Sequence, residues 1–157
     1  MPNHCHNRVT FYASPEHNDQ IAKIKKMFLD ENIFTQIIPE PDWYQTPLLS
    51  SDKHYGQKYG EVGELPQYVE DPWKRLVFKS TGITDQRWYD WRLQNWDTKW
   101  DAYDVVVTED DPDQLEVEFE TAWSPPEAIC SAIREQYPDL SVSWFYDEPG
   151  CEIAGYL

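Results

Sequence analysis

The sequence has few cysteines and no motif that uses them. Cys5, Cys130 and Cys151 form an odd set without C-x-x-C spacing, which argues against a disulfide framework and a zinc ribbon. There is no run of about 18 apolar residues, as a membrane-spanning helix would need. Residues 1–10, MPNHCHNRVT, do not form an apolar export segment. We therefore expect a cytoplasmic protein with free thiols and no membrane partner.

Signatures of catalysis and cofactor binding are also missing. The chain has no G-x-S-x-G motif, no Cys/His nucleophile signature and no glycine loop that could cradle a phosphate. His4, Cys5 and His6 could bind a metal, but alternation along a strand would point the thiol away from the two imidazoles. The acids from Glu109 to Glu116 lack the glycine of a calcium-binding loop. We predict a non-enzymatic protein with no cofactor and no metal.

Basic residues are scarce, because 13 Lys and Arg stand against 29 Asp and Glu, for a formal net charge of −16. Such a chain repels phosphate polymers and anionic membranes, which argues against direct binding to nucleic acid or lipid. A basic partner is favoured, and simple solubility is the alternative explanation. A hydrophobic content of 40% with 15% aromatic residues still predicts a folded chain. Its 157 residues suit a single domain, 1–157.

Two similar segments predict the fold. In each, an alternating strand precedes a proline-containing helix start, with Ser14 and Ser124 as the expected amino-terminal caps. Removing an interval from about residue 31 to about residue 101 leaves the order β-α-β-β-α-β plus one strand. This order predicts an α+β fold, a ferredoxin-like split βαβ antiparallel sheet with an extra carboxy-terminal hairpin strand. A tryptophan-rich helical insertion would follow the first helix.

The insertion holds four of the eight tryptophans within residues 85–101. Thr84 is expected to cap a helix that ends near Asn95 or Asp97, and Asp71-Pro72 predicts a shorter helix through Phe78. We interpret the tryptophans as a satellite core, because large rings are costly to leave in water. A ligand groove is the sharper alternative, in which seven residues would line a cleft. These are Trp88, Trp91, Arg92, Thr98, Lys99, Trp100 and Asp101.

The sheet face opposite the helices is predicted to be acidic. If Phe11 and Phe119 face the helices, Glu116, Glu118 and Glu120 face away from them, spaced by roughly 6.6–6.8 Å, about twice the 3.4 Å between phosphates on one DNA strand. With a turn expected at residues 109–113, seven acids would form a binding surface for a basic protein, and DNA mimicry is one hypothesis. An ordinary solvated strand and internal pairing with basic side chains stay open. The seven are Glu109, Asp110, Asp111, Asp113, Glu116, Glu118 and Glu120.

Several segments resemble the YubB-like, phage- and plasmid-borne proteins with a ferredoxin-like domain. The similar segments are MPNHCHNRVTFYA, WYDWRLQNWDTKWDAYDV, FETAWSPPEAI and YDEPGCEIAGYL. The resemblance covers most of the chain except residues 40–70, and it implies the fold and a mobile-element origin but no catalytic residues. Asp97 stands where that family usually has glycine, and Asp can adopt the same left-handed conformation.

These patterns together predict a phage or plasmid accessory protein, monomeric or weakly dimeric. Its partner would be a basic host protein such as a defence or DNA-processing factor. A small-ligand binder or an enzyme that uses Arg92, Lys99 and Asp101 stays open as an alternative. A structural accessory protein with an oligomer interface on the uncovered sheet face is a third hypothesis.

Overall fold

The computed structural model describes residues 2–157, and its contacts divide the chain into two compact units. The ferredoxin-like unit comprises the chain up to Pro39 together with Arg92–Leu157, and the inserted unit comprises Glu40–Trp91. The inserted unit is shorter than the interval of about 31–101 expected from the sequence. Residues at both ends of that interval pack with the sheet, because the Phe34 ring contacts Phe119 at 6.3 Å and Thr98 bonds to strand backbone.

The helices and strands of residues 2–157 are numbered in chain order. The strands are β1 (His4–Tyr12), β2 (Lys53–His54), β3 (Gln57–Lys58), β4 (Tyr68–Val69), β5 (Val77–Phe78), β6 (Tyr103–Asp111), β7 (Gln114–Ala122), β8 (Ser141–Glu148) and β9 (Ile153–Tyr156). The α-helices are α1 (Asn18–Phe28), α2 (Arg87–Asn95) and α3 (Glu127–Gln136), and short 3-10 helices span Pro15–His17, Phe34–Gln36 and Trp43–Gln45. None of these helices is long and apolar enough to cross a bilayer.

The main sheet has the predicted ferredoxin-like topology. Its order is β6-β7-β1-β8-β9, and each neighbouring pair is antiparallel. In the central strand, Val9 pairs with Val117 of β7 on one side and with Trp144 of β8 on the other. The first and third strands of the βαββαβ order therefore lie side by side, and β9 is the extra hairpin strand.

The core lies between this sheet and its helices. Buried and exposed residues alternate along β1 and β7, as expected for a half-covered sheet. The Phe28 ring of α1 lies 6.0 Å from Phe11 and 5.5 Å from Phe119. This contact confirms that both strand residues face the helices. Ile129 and Ile133 of α3, four residues apart on one helix face, are fully buried.

Ser14 lies at the predicted N-cap position before Pro15, but its side chain makes no capping bond and a 3-10 helix precedes α1. Ser124 does not cap α3, so that expectation was wrong. At α3 the cap comes from a distant residue, since Asp97 Oδ2 accepts a hydrogen bond from Ala128 N at 2.8 Å. Ser124 Oγ donates instead to the Asp97 carbonyl at 2.6 Å. Asp97 has φ +64°, the left-handed conformation that the resemblance implied there.

The inserted unit departs from expectation at two places. No helix forms after Asp71, because residues 71–75 make a hydrogen-bonded turn and Val77–Phe78 pairs with Tyr68–Val69. Thr84 does not cap α2, because it forms a bridge with Val77. The Arg87 backbone N–H donates to Asp85 Oδ1 at 2.9 Å instead.

A buried ion pair organises the inserted unit. Arg87 Nη2 lies 2.9 Å from Asp85 Oδ2, and both side chains are almost fully buried. Arg87 Nη1 also donates to the Thr46 carbonyl at 2.8 Å, and Tyr68 OH donates to Asp85 Oδ2 at 2.6 Å. Burial and the Asp85 carboxylate raise the pKa of Tyr68. Beside this pair, a small apolar core contains Leu48, Tyr59 and Phe78.

Candidate acidic interaction face

Three glutamates of β7 lie on the sheet face opposite the helices. Glu116, Glu118 and Glu120 are partly exposed, whereas Leu115, Val117 and Phe119 between them are buried on the helix side. The alternation therefore places the three carboxylates on one face, as the sequence predicted. With Glu109, these residues form what is called the acidic face below.

Neighbouring strands hold the carboxylates in position. Glu116 accepts hydrogen bonds from Thr10 at 3.1 Å and from Thr108 at 2.9 Å. His6 Nδ1 lies 3.0 Å from Glu120 Oε1, and His6 Nε2 lies 3.7 Å from Glu118 Oε1. The acidic face is thus an ordered array rather than a set of freely rotating side chains.

Like charges oppose each other across the sheet edge. Register places Glu109 of β6 directly opposite Glu116 of β7. Two irregularities in the β6–β7 register, between Tyr103 and Val106 and between Val107 and Glu109, precede this pair. Directly opposed like charges destabilise a sheet by about 0.2–1 kcal/mol. Hydrogen bonds from two hydroxyls to Glu116 act against that repulsion.

The seven predicted acids do not share one face. Strand β6 continues to Asp111, so Glu109, Asp110 and Asp111 lie in a strand and not in the expected turn. Asp110 pairs with the buried Leu115, on the helix side, and accepts a hydrogen bond from Lys25 of α1 at 2.7 Å. Asp113 lies in the connection between the strands, where its carbonyl accepts from Ala13 N at 2.9 Å.

Negative charge is concentrated in the carboxy-terminal part of the ferredoxin-like unit. Residues 92–157 contain 16 Asp and Glu against 3 Lys and Arg. This segment therefore carries a formal charge of −13 out of the −16 of the whole chain. So large an excess of one sign is a source of negative potential around this part of the chain.

The same sheet face changes character toward its other edge. Register aligns Glu118 of β7 with Arg8 of β1, and Arg8 with Phe145 of β8. The Arg8 guanidinium lies 5.5 Å from the Phe145 ring centroid, and Tyr156 of β9 contacts the same ring at 5.3 Å. An aromatic strip therefore borders the acidic face. This strip was not predicted, although the period-2 alternation of β8 places Phe145 on the sheet face opposite to that of the buried Trp144.

The residues predicted to line a cleft divide between the two units. Trp88 and Trp91 belong to the inserted unit, and the other five belong to the ferredoxin-like unit. Thr98 is fully buried and donates to the Ala122 carbonyl at 2.9 Å. Lys99 Nζ lies 4.7 Å above the Trp100 ring.

The remaining two cleft candidates also have local partners. Arg92 covers the Trp96 ring at 5.0 Å and donates to the Lys99 carbonyl at 3.3 Å. Asp101 Oδ1 accepts from Phe34 N at 3.0 Å and from Ala102 N at 2.8 Å. Burial raises the pKa of Asp101, and these hydrogen bonds lower it in part. These contacts tie the chain before β6 to the ferredoxin-like unit.

The cysteine and the histidines of β1 are not arranged as a reactive or metal-binding group. Cys5 is buried on the helix side, and burial raises its thiol pKa to about 11, so that thiolate is scarce at neutral pH. His4 Nδ1 hydrogen-bonds to Tyr103 OH on the outer face, away from the thiol. Across residues 2–157, no group of three or more His, Cys, Asp or Glu is arranged to hold a metal ion.

The strand order, the helices on one sheet face and the acids on the other define a ferredoxin-like α+β domain. Residues 95–157 match the family model described as the ferredoxin-like domain in Api92-like protein. The crystal structure of a protein Api92 from Yersinia pseudotuberculosis is similar in fold, with a TM-score of 0.54 and 12% sequence identity. The similarity covers 99% of this chain and 93% of that chain. No curated protein matches the sequence.

Proposed function

We propose that the chain is a non-enzymatic interaction protein whose acidic face binds a basic surface on a partner protein. The observation that carries this proposal is the register of Glu109 against Glu116, with Glu118 and Glu120 in line beside them. Such an array costs folding free energy. A cationic partner would repay that cost by neutralising the carboxylates.

The spacing of the carboxylates supports a partner that binds nucleic acid. Alternate residues of a strand are roughly 6.6–6.8 Å apart, close to twice the phosphate rise on one DNA strand. A protein groove built for a phosphate backbone would therefore find carboxylates at every second phosphate position. The DNA-mimic hypothesis follows, with a host defence or DNA-processing protein as the class of target.

The origin of the protein belongs to the same proposal. The resemblance to YubB-like, phage- and plasmid-borne proteins supports an accessory role in a mobile genetic element. Such an element gains when a host protein that acts on its DNA is occupied. This origin and the acidic face support each other, and each can be tested separately.

The test is affinity capture from host lysate with the wild-type chain and with E116Q/E118Q/E120Q. We expect the wild type to retain basic DNA-binding proteins that duplex DNA displaces, and the triple variant to lose them. The retained fraction should fall between about 0.05 and 0.2 M salt, because the contact is electrostatic. Each captured protein is then purified and its dissociation constant measured directly.

The matched control is E31Q/E127Q/E135Q. These three glutamates are exposed in the ferredoxin-like unit and lie outside the acidic face, so the net charge changes equally. Equal binding losses in the two variants would show that total charge, and not the acidic face, attracts the partner. Binding that ignores both salt and the triple variant would refute the proposal.

The alternative of a small-ligand cleft has less support. The side-chain oxygens of Thr98 and Asp101 form hydrogen bonds with backbone groups of the ferredoxin-like unit. A groove of about 420 Å³ does reach Asp101 and Tyr103. Its walls include neither Lys99 nor Arg92, so the proposed polar set does not converge there.

A further inference from the structure

The inserted unit presents a tryptophan on a tightly held turn. Trp73 is 78% exposed in a segment called the Asp71 turn below, residues 71–75. Asp71 Oδ2 accepts from the backbone N–H groups of Trp73 at 3.1 Å and Arg75 at 3.2 Å, and Lys74 N donates to the Asp71 carbonyl at 2.9 Å. The Arg75 side chain closes the turn with two bonds of 3.0 Å to the same carboxylate.

This turn stores strain while it exposes apolar surface. Lys74 has φ +56°, an uncommon conformation for a residue with a side chain, and it persists because the Asp71 bonds enforce it. A tryptophan buries about 150–250 Å² when it is covered. A rigid turn loses little conformational entropy on binding, so Trp73 is preorganised as an anchor for an interface.

A groove lies next to the anchor. Its volume is about 730 Å³, and its walls include Tyr44, Tyr68, Val69 and Leu76. Pro72 and Lys74, the chain neighbours of Trp73, also line it. The walls are held in place, because Tyr68 OH bonds to the buried Asp85 and Tyr44 packs edge-on against Tyr68 at 5.0 Å. The groove is large enough for an indole ring.

We propose that two copies of the chain associate through this surface, each inserting Trp73 into the groove of the other. An anchor beside its own acceptor groove is the arrangement that a two-fold interface requires, since each patch must be self-complementary. A single such patch makes two identical contacts at once. This inference concerns the inserted unit and does not depend on the acidic face.

Local charge favours a second copy as the occupant. Most of this acidic chain would repel itself, but the Asp71 turn and the residue before it carry two acids and two bases. Asp71 and Arg75 form an ion pair and neutralise each other. Glu70 and Lys74 are exposed on the groove walls and carry the remaining charges of this segment. Across a two-fold axis, the Lys74 ammonium of one copy can meet the Glu70 carboxylate of the other.

Sedimentation velocity from about 1 µM to about 1 mM protein tests the proposal, because a small interface is expected to be weak. The wild type should change from monomer to dimer within this range. W73A should weaken association by at least about thirtyfold, as for loss of an interface hot spot. L49A is the control, because Leu49 is also exposed in the inserted unit and does not line the groove.

A charge exchange separates an interface effect from a folding effect. K74E and E70K should each weaken the dimer, and the double variant K74E/E70K should restore it. Circular dichroism of every variant reports whether it is folded. If W73A unfolds, the K74E, E70K and K74E/E70K variants still test the interface. A wild type that stays monomeric to about 1 mM, or a dimer that W73A leaves intact, overturns the proposal. A monomer that uses Trp73 to bind a different protein also overturns it.

Discussion

At the scale of the residue, Asp97 shows how one side chain can join two elements. Its left-handed backbone lies just beyond the end of α2 at Asn95, and its carboxylate caps α3. Ser124 donates to its carbonyl and completes the junction. Glycine would suit the backbone conformation equally well but would leave the Ala128 N–H without its acceptor.

We expect Asp97→Ala to lower the free energy of unfolding by about 1–2 kcal/mol, because a cap is lost and alanine is poorly suited to positive φ. Asp97→Asn should cost much less, since asparagine keeps an acceptor oxygen and tolerates the conformation. Urea unfolding of both variants measures the difference. Equal losses for alanine and asparagine would mean that the capping bond contributes little.

Arg87 is the second residue on which much depends. Arg87→Met leaves Asp85 buried without its cation, which typically costs about 3–5 kcal/mol. Limited proteolysis within residues 40–91 should become faster in this variant. The double variant Asp85→Asn/Arg87→Met removes the unpaired charge and should recover part of the loss. A double variant no more stable than Arg87→Met would show that the bonds from Arg87 to backbone carbonyls matter more than its charge.

At the scale of the element, the Asp71 turn depends on one ionised carboxylate. Hydrogen bonds from the Arg75 side chain are the main cause that lowers the pKa of Asp71 to about 2, from an ordinary value of 3.8. Because the folded-state pKa is depressed, the carboxylate stabilises the turn above about pH 4. That stabilisation is lost as the pH falls from 3.8 toward about 2.

We expect nuclear magnetic resonance titration to place the Asp71 midpoint near 2. Arg75→Gln should raise that midpoint toward 3.8, because the charged donor is lost. Hydrogen exchange at the Trp73 and Arg75 amides should accelerate below the midpoint in the wild type relative to amides elsewhere in the inserted unit. An unchanged midpoint in Arg75→Gln would rule out the arginine as the main cause.

At the scale of the whole molecule, charge and stability oppose each other. The formal charge of −13 carried by residues 92–157 lies within one part of the ferredoxin-like unit. Four of the acids in this segment lie on the acidic face. Repulsion within such a set destabilises the compact state and is screened by salt. The proposed partner-binding role of the acidic face would account for this cost, because function can require a less stable arrangement.

We therefore expect the melting temperature to rise when salt increases from about 0.01 M to about 0.3 M. E116Q/E118Q/E120Q should be more stable than the wild type at low salt, by about 0.5–2 kcal/mol, and should respond less to salt. Differential scanning calorimetry measures both. The control E31Q/E127Q/E135Q has the same net charge as this variant. An equal gain in stability of the control would mean that the repulsion is not specific to the acidic face.

The sequence predicted the elements whose signals are local. Alternation along β1 and β7 correctly placed Phe11 and Phe119 on the helix side, and the buried residues of α1 and α3 recur at helical spacing. It also identified which glutamates of β7 face away from the core. These properties follow from periods of 2 and 3.6 residues, which are set by backbone geometry within a few residues.

Contacts between residues that are distant in the chain could not be predicted from these local periods. The cap of α3 comes from Asp97, and Asp71-Pro72 begins a turn because β4 and β5 pair beyond it. Asp-Pro is compatible with either a helix start or a turn, and only long-range pairing selects between them.

The sequence by itself determined which residues alternate, which faces are apolar and how much negative charge the chain carries. Only the tertiary structure decided that Glu109 meets Glu116, that Thr10 and Thr108 hold that carboxylate, and that Trp73 stands beside a groove. The physical reason is that periodicity arises from local backbone geometry. The choice of a partner depends instead on the free energy of packing the whole chain.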